Sequence, residues 1–231
     1  MEAGCPYDLC DGTGFVFDED ENVMRDCRCR ARRKATRRAR GLSHQIPKRY
    51  RGVGFDRYPV TEMHPTIVRE VRRYCDRVGE RLDRGDGLCL CGSRGTGKTT
   101  LAMLISQHAL AARRSVAIYT APALLAHIQA TYGADAEHSY LGFMERLASV
   151  DLLHVEDLAV ARQTEWVLEQ LYTIVNRRYE DEKAIVFTAD VDSPERLGDH
   201  VGERTYSRLI QMCGERVLPL HGTDQRIAAR V

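Results

Sequence analysis

Apolar residues follow two patterns along this chain. Short continuous runs, Gly87-Leu88-Cys89-Leu90-Cys91, Ser115-Val116-Ala117-Ile118-Tyr119-Thr120, Asp151-Leu152-Leu153-His154-Val155-Glu156-Asp157, Ala184-Ile185-Val186-Phe187-Thr188 and Arg216-Val217-Leu218-Pro219-Leu220, have the length of buried strands. Between them the apolar spacing is helical. Ile67, Val68, Val71, Tyr74, Cys75, Val78 and Leu82 form one stripe behind Pro65, predicting an amphipathic helix that leads into the first strand. Thr100 to Ile105 opens another helix, Pro122–Tyr132 and Tyr140–Ala148 read as helical, and Thr164–Tyr179 carries Val167, Leu171, Ile174 and Val175 on one face. Strands alternating with helices imply a parallel sheet covered on both faces, an α/β fold. There is no internal repeat.

The pattern fades before residue 50. A chain of 231 residues can hold one α/β domain and a small appendage, and Pro47 with nearby Gly41, Gly52 and Gly54 marks a boundary. The expected division is 1–33 as a cysteine-rich module, 34–51 as a basic linker and 52–231 as the large domain. The formal net charge of +1 hides an asymmetry. Charged side chains up to Met24 are all acidic, whereas Arg25, Arg28, Arg30, Arg32, Arg33, Lys34, Arg37, Arg38, Arg40, Lys48, Arg49 and Arg51 face only Asp26. Such a block neutralises phosphates or docks on an acidic surface; the competing reading is a solvated linker helix. No apolar run spans a membrane, and the acidic start lacks the order of a signal peptide, so the expectation is a cytoplasmic protein without membrane contact.

Eight cysteines without an export signal favour metal or burial over disulfides. Cys75, Cys89, Cys91 and Cys213 lie in apolar segments and are expected to pack as small hydrophobes. Cys5, Cys10, Cys27 and Cys29 can close a tetrahedral Zn2+ shell: Gly12 and Gly14 give the turn after the first pair, and Cys27 and Cys29 on an extended strand would project to one side. Unliganded thiols are the alternative. A segment this short has little core, so a metal would supply its folding energy.

Gly92-Ser93-Arg94-Gly95-Thr96-Gly97-Lys98-Thr99 fits G-x-x-x-x-G-K-[ST] at every fixed position, between a strand and a helix. Backbone N–H groups of this loop and of Thr100 would cradle ATP phosphates, Lys98 would reach the β- and γ-phosphates, and Thr99 would hold Mg2+. Such a site needs an acid at the end of a buried strand. Glu156 is assigned to Mg2+ and Asp157 to polarising water, while His154 reads as a satisfied strand histidine. Arg204 and Arg208 lie one helical turn apart, and either could reach a neighbouring subunit's nucleotide as an arginine finger.

Together with Thr164-Glu165-Trp166-Val167 through Asn176-Arg177-Arg178-Tyr179, Thr188-Ala189-Asp190, Gly202-Glu203-Arg204, Ser207-Arg208-Leu209 and Gly222-Thr223-Asp224-Gln225-Arg226, these motifs resemble the DnaC/DnaI-type replicative helicase loaders, AAA+ ATPases related to the IstB transposition helpers. The resemblance implies a P-loop AAA+ core with a five-stranded parallel sheet behind a small zinc-binding module, and this chain is expected to lack the full helical lid. It further implies ATP hydrolysis, side-by-side assembly, single-stranded DNA binding and contact with a DnaB-type ring helicase through the N-terminal module, with Arg208 at the finger position. Two residues depart from the family pattern. Glu156 stands where Asp is usual, and Asp190 stands at the Asn sensor position, where it repels a γ-phosphate unless paired or protonated. Slow hydrolysis is therefore expected. Arg226 resembles a second sensor, but Val231 comes too soon for the lid that carries one. Two other functions compete: an IstB-like helper on duplex DNA, and a nucleotide-gated adaptor that hydrolyses little.

Overall fold

The computed structural model describes residues 5, 7–30, 33, 46–133, 139–160, 164–222 and 224. Thr223, Gln225, Arg226, Arg32, Lys34, Arg37, Arg38 and Arg40 lie outside the described residues.

The first element is a hairpin, β1 (Phe15–Asp18) antiparallel to β2 (Val23–Asp26), with Phe17 opposite Met24. Its charges are partly settled internally: Arg25 pairs with Asp18 at 2.8 Å and Glu21 at 2.6 Å, and Arg30 pairs with Asp26 while lying over the Phe15 ring. These two arginines are engaged by the hairpin's own acids. Cys27 and Cys29 differ from expectation. β2 ends at Asp26, Cys27 donates its N–H to Gly14 O at 2.9 Å, and Cys29 sits in a helical turn at 28–30, so a turn brings the pair together.

The large domain has α1 (Pro65–Asp76), α2 (Val78–Asp83), β3 (Leu88–Gly92), α3 (Lys98–Ala111), β4 (Val116–Thr120), α4 (Ala121–Ala130), α5 (Tyr140–Ser149), β5 (Leu152–Glu156), α6 (Glu165–Glu180), β6 (Ala184–Ala189), α7 (Leu197–Val201), α8 (Glu203–Cys213) and β7 (Val217–Leu220). The five strands are parallel in the order β4-β5-β6-β3-β7. Alternate residues feed two apolar layers. Leu88, Leu90, Leu152 and Val186 pack against α1, α2 and α3, whereas Cys89, Cys91, Leu153 and Phe187 pack against α4, α5, α6 and α8. Cys75, Cys89, Cys91 and Cys213 are buried here, as their apolar surroundings predict. Ile46, Tyr50, Val53 and Phe55 pack on the first layer, so its contacts reach back to residue 46.

The single helix expected from Pro65 to Leu82 is two helices. At Arg77 the backbone leaves helical geometry (φ −118°, ψ 27°), yet Val78 and Leu82 stay buried and keep the apolar spacing. Arg114 anchors the second piece, donating to both Asp83 carboxylate oxygens at 2.6 Å and to Gly79 O at 2.9 Å.

Two features shape the sheet's surroundings. The fully buried Arg178 of α6 donates to Leu147 O at 2.6 Å, Ala148 O at 3.3 Å, Val150 O at 3.0 Å, Asp151 O at 3.4 Å and Ala184 O at 2.6 Å. It ties the end of α5 to the starts of β5 and β6. On β7, Arg216 O accepts from Cys89 N–H at 2.9 Å, which fixes the register so that Leu218 and Leu220 bond β3 and Pro219 turns its missing N–H outward.

Candidate nucleotide site

Because all five strands are parallel, the loops after β3, β5 and β6 emerge on one edge of the sheet. β6 lies between β3 and β5 and brings Thr188 and Asp190 between the phosphate loop and the acids Glu156 and Asp157.

The phosphate loop needs its glycines for space as well as for torsion. Gly97 has φ 98°, and a Cβ there would lie 2.1 Å from Met63 Cε. Gly95 has φ 77°, and a Cβ would lie 2.0 Å from an Asp224 carboxylate oxygen. Met63 and Asp224 therefore pack directly against the loop. Thr96 Oγ1 donates to Ser93 O at 2.9 Å, and Ser93 and Arg94 are exposed. Gly92 ends β3 with its backbone against Leu220, and Thr100 is half-buried in the first turn of α3. Beside Thr96 opens a cavity of about 300 Å³ walled by Met63, His64, Pro65, Ile67, Leu220 and His221. Nothing in the loop motif signals it, since its walls come from both ends of the domain.

Lys98 starts α3 and is 5% exposed. Its ammonium donates to Gly92 O at 2.9 Å and Ser93 O at 2.6 Å and pairs with Asp190 at 2.7 Å. The other Asp190 oxygen accepts from Arg94 Nε at 3.1 Å. The repulsion expected of Asp190 is thus met by pairing, with the lysine that the motif assigns to phosphate.

Thr99 Oγ1 donates to Glu156 Oε2 at 2.6 Å, and Thr188 Oγ1 donates to the same oxygen at 3.0 Å. Glu156 Oε1 accepts from His154 Nε2, whose Nδ1 meets Ser106 Oγ at 2.8 Å. Burial pushes the Glu156 carboxyl up, but the charge and hydrogen bond of His154 and the Thr99 and Thr188 hydroxyls outweigh it and hold the group below its ordinary value. A hydroxyl and a carboxylate 2.6 Å apart are the hard oxygen donors Mg2+ prefers. The structure thus brings Thr99 and Glu156 together as the motif predicts, and His154 is bonded to the acid itself. The clue in the sequence is the i, i+2 spacing of His154 and Glu156, which puts both on one face of a strand.

Asp157 is separated from Glu156 by its backbone. Its φ of 56° is left-handed, a conformation that Asp tolerates better than most residues, and its N–H donates to Thr188 Oγ1 at 2.9 Å. Thr188 therefore links both acids, a role the sequence did not disclose. Asp157 is half-buried where Glu156 is buried.

On α8 the two arginines differ. Arg208 lies over the rings of Tyr172 (5.1 Å) and Tyr179 (5.7 Å), while Arg204 is exposed.

The sulfurs of Cys5, Cys10, Cys27 and Cys29 lie within 4.8 Å of one another, with Cys5 to Cys27 at 3.7 Å and Cys10 to Cys29 at 3.5 Å. Four thiolates about 2.3 Å from a tetrahedral zinc are about 3.8 Å apart, so the cluster fits that geometry. Local burial pushes the Cys5 thiol up, but the N–H groups of Tyr7, Leu9 and Cys10 outweigh it and hold it at about 6. Burial and the neighbouring Cys27, Cys10 and Cys5 push Cys29 up to about 12. Four thiols this close ionise together only around a cation. Among the described residues no helix is long and apolar enough to cross a membrane.

The sequence profile of the bacterial DnaA ATPase domain matches residues 75–212. Over 191 residues the chain is 22% identical to the replicative helicase loader DnaC of Buchnera aphidicola subsp. Schizaphis graminum (strain Sg), covering 82% of this chain and 74% of that protein. The crystal structure of the DnaC helicase loader superposes with a TM-score of 0.62 at 21% identity, over 76% of this chain and 100% of that one. The replication initiator DnaA bound to AMPPCP and single-stranded DNA superposes with a TM-score of 0.60 at 21% identity, over 78% of this chain and 52% of that one. At these identities the likeness to solved structures concerns the fold. With the phosphate loop, both acids and the arginine pair inside the matched segment, the chain belongs to the bacterial DnaA ATPase-domain family, and its core has the P-loop AAA+ fold seen in the DnaC helicase loader and in DnaA.

Proposed function

We propose that this chain is an ATP-driven loader of a ring-shaped replicative helicase, contacting a DnaB-type helicase through its N-terminal module and single-stranded DNA through its ATPase domain. The observation that carries the proposal is the joining, in a chain similar to DnaC, of a phosphate-loop site with paired acids to a four-cysteine module. In this function the loop N–H groups cradle the ATP phosphates and Lys98 exchanges Asp190 for the β- and γ-phosphates. Thr99 and Glu156 hold Mg2+, and Asp157 orients the attacking water. A Mg2+ ion held by Thr99 and Glu156 would supply positive charge that offsets the charge developing on the phosphate. The cavity beside Thr96 takes the adenine base. Arg208, or Arg204 one turn away, completes a neighbour's site in trans, so hydrolysis requires self-assembly. Zn2+ on Cys5, Cys10, Cys27 and Cys29 holds the N-terminal module folded.

The test is co-purification with a DnaB-type helicase under ATP, in the full chain and in a deletion of residues 1–45, which spares Ile46 and Tyr50 on the core. Binding by the full chain and its loss on deletion are expected. No binding under ATP, with or without single-stranded DNA, overturns the proposal. ATPase activity stimulated by duplex DNA without helicase contact would favour the transposition-helper function instead. One observation favours a nucleotide-gated adaptor as second reading: Asp190 engages Lys98 directly. Single-turnover hydrolysis in the parent and in Asp190→Asn separates the two, because parent turnover near about 1 s⁻¹ removes the need for an adaptor.

A further inference from the structure

Along the face of β5 that packs on α3, the residues are Leu152, His154 and Glu156, and the apolar layer is interrupted by a polar track. Ser106, His154 and Glu156 are all buried, His154 and Ser106 completely. A buried polar track of this kind is unfavourable unless each member is bonded, and here each is. Ser106 Oγ lies 2.8 Å from His154 Nδ1, and His154 Nε2 donates to Glu156 Oε1. The remaining oxygen, Oε2, receives Thr99 at 2.6 Å and Thr188 at 3.0 Å. The track ends at the hydroxyl that opens the phosphate-loop helix.

We propose that His154 is a positioning residue for the metal side of the nucleotide site: anchored by Ser106, it clamps the far oxygen of Glu156 so that the near oxygen is presented to Thr99 and to Mg2+. Glutamate has a longer, more freely rotating side chain than aspartate, so it loses more conformational freedom when fixed. His154 takes up that freedom in advance. Thr188 restrains the same carboxylate from β6, but on the oxygen shared with Thr99, so among the described residues His154 alone fixes the rotation of the group from the other side. Partners of this kind, which touch a ligand residue rather than the ion, typically contribute 10–100-fold to metal affinity.

The inference rests on the nucleotide site proposed above, and the experiment separates the two. A fluorescent ATP analogue is titrated in EDTA and at increasing Mg2+ in the full chain, in His154→Asn and in His154→Gln, with circular dichroism to verify folding. The amide of Gln reaches the position of the imidazole Nε2, whereas that of Asn falls short. His154→Asn is expected to raise the half-saturating Mg2+ by about 10-fold and leave affinity in EDTA within about twofold, while His154→Gln stays within about threefold of the parent. If His154→Asn fails to fold, Ser106→Ala, which removes only the outer anchor, reads the same shift at smaller size. An unchanged Mg2+ requirement in folded His154→Asn overturns the positioning role and leaves the nucleotide site standing. Absence of analogue binding to the parent in either buffer overturns the site and the inference with it.

Discussion

Replacing Arg178 by methionine isolates the largest buried polar device in this fold. The change keeps an unbranched apolar stem and removes a guanidinium that is fully buried and bonded to carbonyls of α5, the turn before β5, and β6. Burial pushes its pKa down to about 9, which still leaves it charged at neutral pH. Three of its contacts are close, at 2.6, 3.0 and 2.6 Å, and two are marginal, at 3.3 and 3.4 Å. Each buried carbonyl left without a donor costs about 1–3 kcal/mol, and relief of the guanidinium's own desolvation offsets part of the sum. The expected net loss is about 3–5 kcal/mol. For a chain of this size that lowers Tm by about 6–20 °C. Thermal and urea unfolding followed by circular dichroism measure it. Arg178→Lys should fall between, since an ammonium cannot fork across three strand and helix ends. Arg177→Met is the control: that arginine is 58% exposed, 3.6 Å from Asp181, and should cost less than about 0.5 kcal/mol. An Arg178→Met protein within about 1 kcal/mol of the parent would refute the reasoning, since it would mean that the five carbonyls find other partners.

Three further outcomes are expected. Asp190→Asn removes the carboxylate that pairs with Lys98 at 2.7 Å, so ATP affinity should rise by about 3–10-fold in equilibrium titration; unchanged affinity would show that the pair does not compete with phosphate. Protein purified without chelator should carry one zinc per chain by atomic absorption, and Cys29→Ser should lose it while the large domain keeps its melting temperature; a full metal content in that variant would disqualify the cluster. Arg208→Ala should cut hydrolysis by about 10³-fold with ATP binding retained, whereas Arg204→Ala should stay within a few-fold; the opposite ranking in the same assay would move the finger to Arg204.

The sheet was legible because its strands are buried on both faces and read as unbroken apolar runs, as in Ala184 to Phe187. The phosphate loop and the strand-end acids were legible because their chemistry is local. The break at Arg77 was hidden because Val78 and Leu82 keep the helical spacing across it, and the Arg114 that anchors the second helix through Gly79 and Asp83 lies more than thirty residues later in sequence. Cys29 shows a similar limit: an i, i+2 cysteine pair can converge from a strand or from a turn, and only the end of β2 decides. The acids told that a metal could be held, but not that Thr188 and His154 would share the holding, since those contacts cross strands. Asp190 was visible as an anomaly, and its cation was not, because Lys98 precedes it by nearly a hundred residues.

Pro219 has a consequence for how copies of this protein can meet. A sheet with an open flank is a template on which a second chain can lay a strand, and that kind of growth has no natural end. Among the described residues no strand pairs with the outer side of β7, and there Pro219, third in a strand of four residues, leaves a gap because it offers no donor. A newcomer there would lose one of the few bonds available to it. Joining at this flank by extending the sheet is therefore disfavoured, which leaves contact between side chains, a mode that can define an angle between neighbours and stop at a finite number.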